Sequence, residues 1–271
     1  MTRIGFIGAG MMAEAIIGGM LKAGFSPAEI GGADSSQERR LHMEKTYGIK
    51  AYGDNQVLIR GSDAVILSVK PQYYPAVLPD LLAALTAGQK VFSIMAGIPT
   101  ERLEREIAGG EGSLSLPVVR AMPNSPALVG AGMTILAAGR WATEEDMALA
   151  RRIFAAVGGV IVLEEGLIDA AGSVSGCGPA YAYMMIQALA DGGVMMGLPR
   201  QIAQLLAAET LSGSARMVLA GAGHPEELKD RVCSPGGTTI EGVSALERAG
   251  FRGALMEAVR VSAEKNARLG K

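Results

Sequence analysis

The opening stretch Arg3-Ile-Gly-Phe-Ile-Gly-Ala-Gly-Met-Met-Ala13 limits what this chain can fold into more than any other. A short apolar run reads as a buried parallel strand, Gly8-x-Gly10-x-x-Ala13 follows, and residues 14–22 read as an amphipathic helix stopped by Gly24. That order seats a dinucleotide pyrophosphate. Gly8 permits a tight turn, Gly10 lets the backbone approach phosphate, and the small Ala13 lets helix and strand pack closely. The free N–H groups and positive end of the helix then face the anion. In a chain of 271 residues with 37 glycines the bare pattern is weak, and an ordinary strand-to-helix turn shares it. Its position between a strand pattern and a helix pattern favours the nucleotide reading.

One basic residue ahead of a mostly apolar stretch also suggests a secretory signal. Glu14 interrupts that stretch and several glycines weaken it, so the residues are expected to stay in the working protein. No later run reaches the roughly 18 uninterrupted apolar residues of a membrane span, so a soluble protein with no membrane partner is expected. A formal net charge of -2 without a basic cluster gives no footprint for nucleic acid. Two cysteines, Cys177 and Cys233, cannot build a disulfide framework and point to a reducing, cytoplasmic setting. Hydrophobic residues make up 49% but aromatics only 4%, so the core must come from Ala, Val, Ile, Leu and Met.

Short apolar runs predict strands over residues 3–7, 30–34, 64–69, 91–95, 118–122, 133–136 and 160–163, several separated by helix-length segments as parallel crossovers require. Beyond Glu164 the strand signal disappears, and residues 179–196, 199–219, 239–249 and 253–269 read as helices. The expected fold class is α/β: an N-terminal Rossmann-type dinucleotide-binding domain over 1–163, then an all-helical dimerisation domain over 164–271. The helix over 179–196 is apolar nearly all round, with Tyr181, Met184, Met185, Ile186, Leu189, Val194 and Met195. In so small a domain a subunit interface is the easier place to bury it, which predicts a homodimer through the helical half, extendable to a higher homo-oligomer. Enclosure by its own neighbours is the alternative.

Coenzyme choice turns on the end of the second strand. Asp34 there would repel a 2′-phosphate by ~1 to 3 kcal/mol if partly buried. Ser35, Ser36, Arg39 and Arg40 follow at once, and hydroxyls with guanidinium groups suit phosphate. The balance favours NADP(H), with NAD(H) tolerated.

Further strings recur in order: Ser68-Val-Lys-Pro-Gln72, Ser93-Ile-Met-Ala-Gly97, Arg120-Ala-Met-Pro-Asn-Ser-Pro-Ala127, Ser173-Val-Ser-Gly-Cys-Gly-Pro-Ala-Tyr181, Ala190-Asp-Gly-Gly193, Leu228-Lys-Asp-Arg-Val-Cys-Ser-Pro-Gly-Gly-Thr-Thr-Ile240 and Gly253-Ala-Leu-Met-Glu-Ala258. Together they resemble the pyrroline-5-carboxylate reductase family, which reduces the cyclic imine 1-pyrroline-5-carboxylate to L-proline, the last step of proline biosynthesis. Such an NAD(P)H-dependent oxidoreductase moves hydride to an iminium carbon that is already an electron sink. Positioning of two rings and of the substrate carboxylate should therefore suffice, without a metal.

The resemblance implies coenzyme contacts at Ile7, Gly8, Ala9, Gly10, Met11, Met12, Ser35, Asn55, Ser68, Val69, Lys70, Pro71, Ile94, Met95 and Ala96, beside Asp34. It places the substrate at Ser234, Gly236, Gly237, Thr238 and Thr239, with the catalytic Thr239 hydroxyl near the ring nitrogen and with Glu165 and Arg231 close by. A serine is usual in NADPH-preferring relatives where Asp34 stands, and an asparagine in some relatives where Arg231 stands. Independently, glycines ahead of an apolar helical stretch can present backbone N–H groups as a nest for a small carboxylate. Plain helix capping by these threonines is the simpler reading of the same residues.

Two rivals remain. A β-hydroxyacid dehydrogenase or other imine reductase shares the domain order, but such dehydrogenases carry a catalytic lysine where Pro179, Ala180, Tyr181 and Ala182 stand here. A non-catalytic NAD(P)-binding sensor would tolerate a damaged substrate loop, whereas the glycines and threonines over 236–239 are intact.

Overall fold

The computed structural model describes residues 2–109 and 114–269; the extremes of the two expected domains, 1 and 270–271, lie outside these. Two compact units form, one of Met1–Cys177 with Ser262–Lys271 and one of Gly178–Val261.

In the first unit, β1 (Ile4–Ile7), β2 (Ile30–Ala33), β3 (Lys50–Tyr52), β4 (Ala64–Leu67), β5 (Lys90–Ser93), β6 (Val118–Met122), β7 (Gly132–Ala138) and β8 (Gly158–Val162) make one sheet. Its order is β3-β2-β1-β4-β5-β6-β7-β8. The helices are α1 (Met11–Lys22), α2 (Gln37–Tyr47), α3 (Asn55–Arg60), α4 (Tyr74–Ala84), α5 (Thr100–Ile107), α6 (Glu144–Ala155) and α7 (Ile168–Ser175). The period of two is visible in the packing. Ile4, Phe6, Ala64, Ile66 and Phe92 face one core with α1 and α6, while Ile7, Val65, Leu67 and Val91 face another with α3, α4 and α5. Helices thus cover both faces of a largely parallel sheet, as the α/β expectation required.

β6 and β7 pair antiparallel, because their connection holds only the short turn Ser125–Val129 and no crossover helix. β3 was not foreseen; it has three residues, none fully buried, at the sheet edge. The strands end with β8, near the expected division at 163, but packing carries the first unit on to Cys177. Ile168 of α7 is buried with Ile135 and Ala137 of β7, so α7 belongs to the sheet's core. The chain end also returns to this unit, where Asn266 Nδ2 lies 3.4 Å from Ser173 Oγ.

The second unit contains α8 (Gly178–Met195), α9 (Arg200–Leu219), α10 (Pro225–Val232), α11 (Thr238–Arg248) and the part of α12 (Phe251–Leu269) up to Val261. Gly193 lets α8 and α9 approach, since a Cβ there would stand 3.2 Å from Ala203 Cβ. Among the described residues the fully buried apolar side chains of this unit are Ala190, Ala203 and Ala207. Met184 is 73% exposed, Leu189 52% and Met195 85%, so α8 is not enclosed by its neighbours within the chain. Among the described residues, no helix is long and apolar enough to cross a membrane.

Candidate functional site

β1 sits where the sheet order reverses, with β2 on one side and β4 on the other. Ligands of open α/β sheets bind beyond the strand ends at such a point. Gly8 adopts φ +93°, and a Cβ there would stand 2.9 Å from Val69 Cγ1 and 3.0 Å from the Ser68 carbonyl oxygen. Only glycine fits. Its N–H donates to the Ala33 carbonyl at 2.8 Å, and the Ser68 hydroxyl lies 2.9 Å from the Ile7 oxygen and 2.6 Å from the Gly8 oxygen. Gly10 then caps α1 without any side-chain hydrogen bond, and a Cβ on it would meet nothing within 4 Å. Open space therefore fronts uncapped amides, the arrangement a pyrophosphate needs.

A cleft of ≈ 610 Å³ opens at this turn. Of the residues expected to hold a coenzyme, Ile7, Gly8, Gly10, Asp34 and Ser35 line it, with Asn55, Ser68, Val69 and Lys70. Tyr73, Ala76 and Val77 line it too and were not foreseen; their only signal is a helical repeat after Pro71. The other expected contacts stand outside the lining. Ala9 is buried in the turn, Met11 is exposed at the start of α1, and Met12 packs on the core. Pro71 opens the short turn Pro71–Tyr73. Ile94 and Met95 pack into the cores on opposite faces just after β5, and Ala96 is exposed beside Gly97.

The β2 end carries a dense polar network. Asp34 accepts from the Ala9 N–H through Oδ2 and from the Ser36 N–H through Oδ1, both at 2.9 Å. Arg39 donates from Nε to the Ala9 carbonyl at 2.9 Å and from Nη2 to Glu14 Oε2 at 2.7 Å. Arg40 Nη1 donates to the carbonyls of Asp34 at 2.7 Å and Ser35 at 3.0 Å. Glu14 is also bonded by His42 Nε2 at 2.7 Å and by the Tyr47 hydroxyl at 3.0 Å. Burial works to raise the Glu14 pKa, but the bonds from His42, Arg39 and Tyr47 outweigh it and hold the carboxyl at about 2. The anionic Glu14 in turn raises the Tyr47 phenol, after burial.

Glu165 also belongs to the first unit. Its Oε1 accepts from Arg120 Nη1 at 2.9 Å and from the Thr100 N–H at 3.3 Å, while Oε2 is buried with no partner. Arg120, only 3% exposed, reaches Asp169 Oδ1 at 3.1 Å as well. This tie between Arg120 and Glu165 was not read from the sequence, where the two stand 45 positions apart.

In the second unit, the Gly237 N–H donates to the Ser234 carbonyl at 3.0 Å and Gly236 has φ +67°, closing a turn ahead of α11. Gly237 is the N-cap and no side chain caps the helix. Thr238 and Thr239 are exposed as its first residues, so the simple capping reading does not describe them. Ser234 is exposed at the other end of the turn, its Oγ over Gly237. Arg231, exposed on α10, donates from Nη1 to the Ala222 carbonyl at 3.1 Å.

Comparison with known proteins decides the family. Residues 165–269 match the model for the pyrroline-5-carboxylate reductase dimerisation domain, and residues 3–97 match that for NADP oxidoreductase, coenzyme F420-dependent. The chain is 44% identical to the pyrroline-5-carboxylate reductase of Synechocystis sp., covering 99% of this chain and 98% of that one. It belongs to the pyrroline-5-carboxylate reductase family. Its structure is similar to that of the family member from Coxiella burnetii, with a TM-score of 0.91 and 31% identity over 100% of this chain and 99% of the other. It is also similar to the NADP-bound pyrroline carboxylate reductase of Plasmodium falciparum, with a TM-score of 0.88 and 31% identity over 100% of this chain and 98% of the other. This relationship supports the binding of a nicotinamide dinucleotide and an oligomeric enzyme with a dimerisation domain.

Proposed function

We propose that this chain is a pyrroline-5-carboxylate reductase, using NAD(P)H to reduce the cyclic imine of 1-pyrroline-5-carboxylate to L-proline. One observation carries the reading: a member of this family combines a glycine turn with open space at Gly10 and an α11 N-terminus that no side chain caps. The first suits a pyrophosphate and the second a small carboxylate. A reduced nicotinamide bound at the cleft supplies the hydride. The chain's own task is then to hold the substrate and exclude rival geometries. Ser234, Gly236 and Thr238 receive the carboxylate through backbone N–H groups and hydroxyls, Gly237 holds the turn closed through its bond to the Ser234 carbonyl, and Arg231 adds a cation. The Thr239 hydroxyl hydrogen-bonds the ring nitrogen and orients the imine. Glu165, held by Arg120 through Oε1, has a second carboxylate oxygen without a partner, and its proposed role is a substrate contact.

Coenzyme contacts extend to Ala9, Met11, Met12, Pro71, Ile94, Met95 and Ala96. NADP(H) is the preferred coenzyme, because Ser35 and the Arg40 guanidinium stand at the β2 end. Asp34 already serves two backbone amides, yet a carboxylate has lone pairs left for ribose hydroxyls, so NAD(H) is used as well. The working form is a homodimer through the helical half, supported by the open apolar face of α8 and by the family's dimerisation domain. We place it in the cytoplasm, in keeping with the free thiols of Cys177 and Cys233.

Thr239→Val tests the site. With Thr239 exposed and outside the capping bonds, the melting temperature should stay within about 2 °C, while kcat/KM for the imine falls at least about tenfold. Normal kinetics with a large loss of stability would remove Thr239 from the chemistry.

A further inference from the structure

Adjacent arginines on α2 bond different segments beside the dinucleotide cleft, Arg39 the glycine turn and Arg40 the end of β2. Arg39 turns the Nε and Nη2 edge of its guanidinium back onto the glycine turn, bonding the Ala9 carbonyl and Glu14. Asp34 holds the N–H of the same residue from the other side. Ala9 is therefore pinned at both its amide and its carbonyl. In a planar trans peptide the carbonyl and the next N–H point in opposite directions. Holding the Ala9 oxygen toward α2 thus turns the Gly10 N–H away from Arg39, at the residue that lines the cleft.

Glu14 adds an electrostatic reason for the contact. It lies in the first turn of α1, where a free carboxylate would oppose a bound pyrophosphate. The Arg39 ion pair at 2.7 Å, with side chains 32% and 21% exposed, offsets that charge. Arg40 has neither duty. Its Nη1 bonds the Asp34 and Ser35 carbonyls, and its Cζ would stand 3.4 Å from a Cβ on Gly53. It thereby lies at the strand end where a ribose 2′-substituent is read.

We propose that Arg39 is a positioning residue for the pyrophosphate shared by NADPH and NADH, and that discrimination of the 2′-phosphate falls to Arg40. The assignment rests on the coenzyme reading of the cleft given above. It is tested on the full-length enzyme by titrating NADPH and NADH separately, following nicotinamide fluorescence, with kinetics and melting curves alongside.

Arg39→Met is expected to raise both dissociation constants about tenfold, leaving their ratio unchanged, with the loss falling on the coenzyme KM rather than on kcat. Arg40→Met is expected to weaken NADPH about tenfold and NADH less than about twofold. Adding Glu14→Gln to Arg39→Met should recover about threefold for both coenzymes, because the unpaired carboxylate is gone. Arg39→Lys, which keeps the charge without the fork, serves if the methionine variant does not fold, and should cost both coenzymes about threefold.

Weakening of NADPH alone by Arg39→Met would make Arg39 a 2′-phosphate ligand and overturn the assignment. So would a lowered melting temperature with unchanged dissociation constants. Failure of the unmodified enzyme to bind either dinucleotide strikes the coenzyme reading instead, and is scored on that protein alone.

Discussion

In the first unit Phe6, Ile16, Ile66, Phe92 and Phe154 are wholly buried, whereas in the second the buried apolar side chains among the described residues are three alanines. Both regions come from the same aliphatic-rich chain. Alanine removes little area from water, and at about 25 cal/mol per Å² three of them cannot stabilise a helical domain. The sheet unit therefore completes its nucleotide cleft from its own core, while the helical unit presents Met184, Leu189 and Met195 for burial elsewhere. On the proposed function, coenzyme binding is a property of one chain and imine reduction a property of the assembly.

The sharpest way to break this contrast is to charge the open face of α8. Met184→Glu with Leu189→Glu should give a monomer by sedimentation and cut turnover about a hundredfold, while NADPH affinity stays within about twofold. A double variant that sediments as the unmodified protein would show that α8 buries nothing in the assembly.

Charge networks should differ between the units in the same sense. Arg120→Met leaves Glu165 and Asp169 without their buried cation and should cost about 3 to 5 kcal/mol, read as a lower urea midpoint. In the helical unit Arg252 pairs with Glu226 and Glu247 at the surface, and Arg252→Met should leave that midpoint close to the original. Equal shifts from the two substitutions would erase the distinction.

A smaller effect comes from Glu14. Its pKa is held at about 2 in the folded protein against an ordinary value near 4.5. A depressed acid contributes stability that is complete above its unfolded pKa and is lost as pH falls through the folded one. Compared with Glu14→Gln, the unmodified protein should be more stable by about 1 to 2 kcal/mol near pH 7, with exposure discounted, and the margin should close between about pH 4.5 and 2. A difference that does not vary across this range would place the contribution of Glu14 outside its charge.

The sheet unit was the more legible of the two. Ile4, Phe6 and Ile7 stand before a glycine turn whose spacing only a few backbone conformations satisfy, so strand, turn and α1 could be placed together. β3 escaped because Lys50, Ala51 and Tyr52 give neither an apolar run nor a clear alternation. α10 escaped for a similar reason: Pro225-Glu-Glu-Leu-Lys-Asp-Arg-Val232 is mostly charged and its N-cap is His224, an unusual capping residue. Helices α8, α9, α11 and α12 were readable from proline and glycine punctuation, to within two residues at each end.

At the site, local motifs exposed the glycines and threonines, but contacts that depend on the fold stayed hidden. Nothing near Arg39 indicates that its guanidinium will lie on the Ala9 carbonyl 30 residues earlier, or that Glu14 will share it. The same holds for Glu165, whose Arg120 partner comes from a strand separated from it by β7 and β8.

The most direct measurement follows NADPH consumption by the purified protein with 1-pyrroline-5-carboxylate, counting L-proline formed in the same sample. The account predicts one proline for each NADPH oxidised, with the rate strongly reduced in Thr239→Val and in the charged α8 variant. Tight binding of NADPH without any oxidation when the imine is added would contradict it and leave a dinucleotide-binding protein without this turnover.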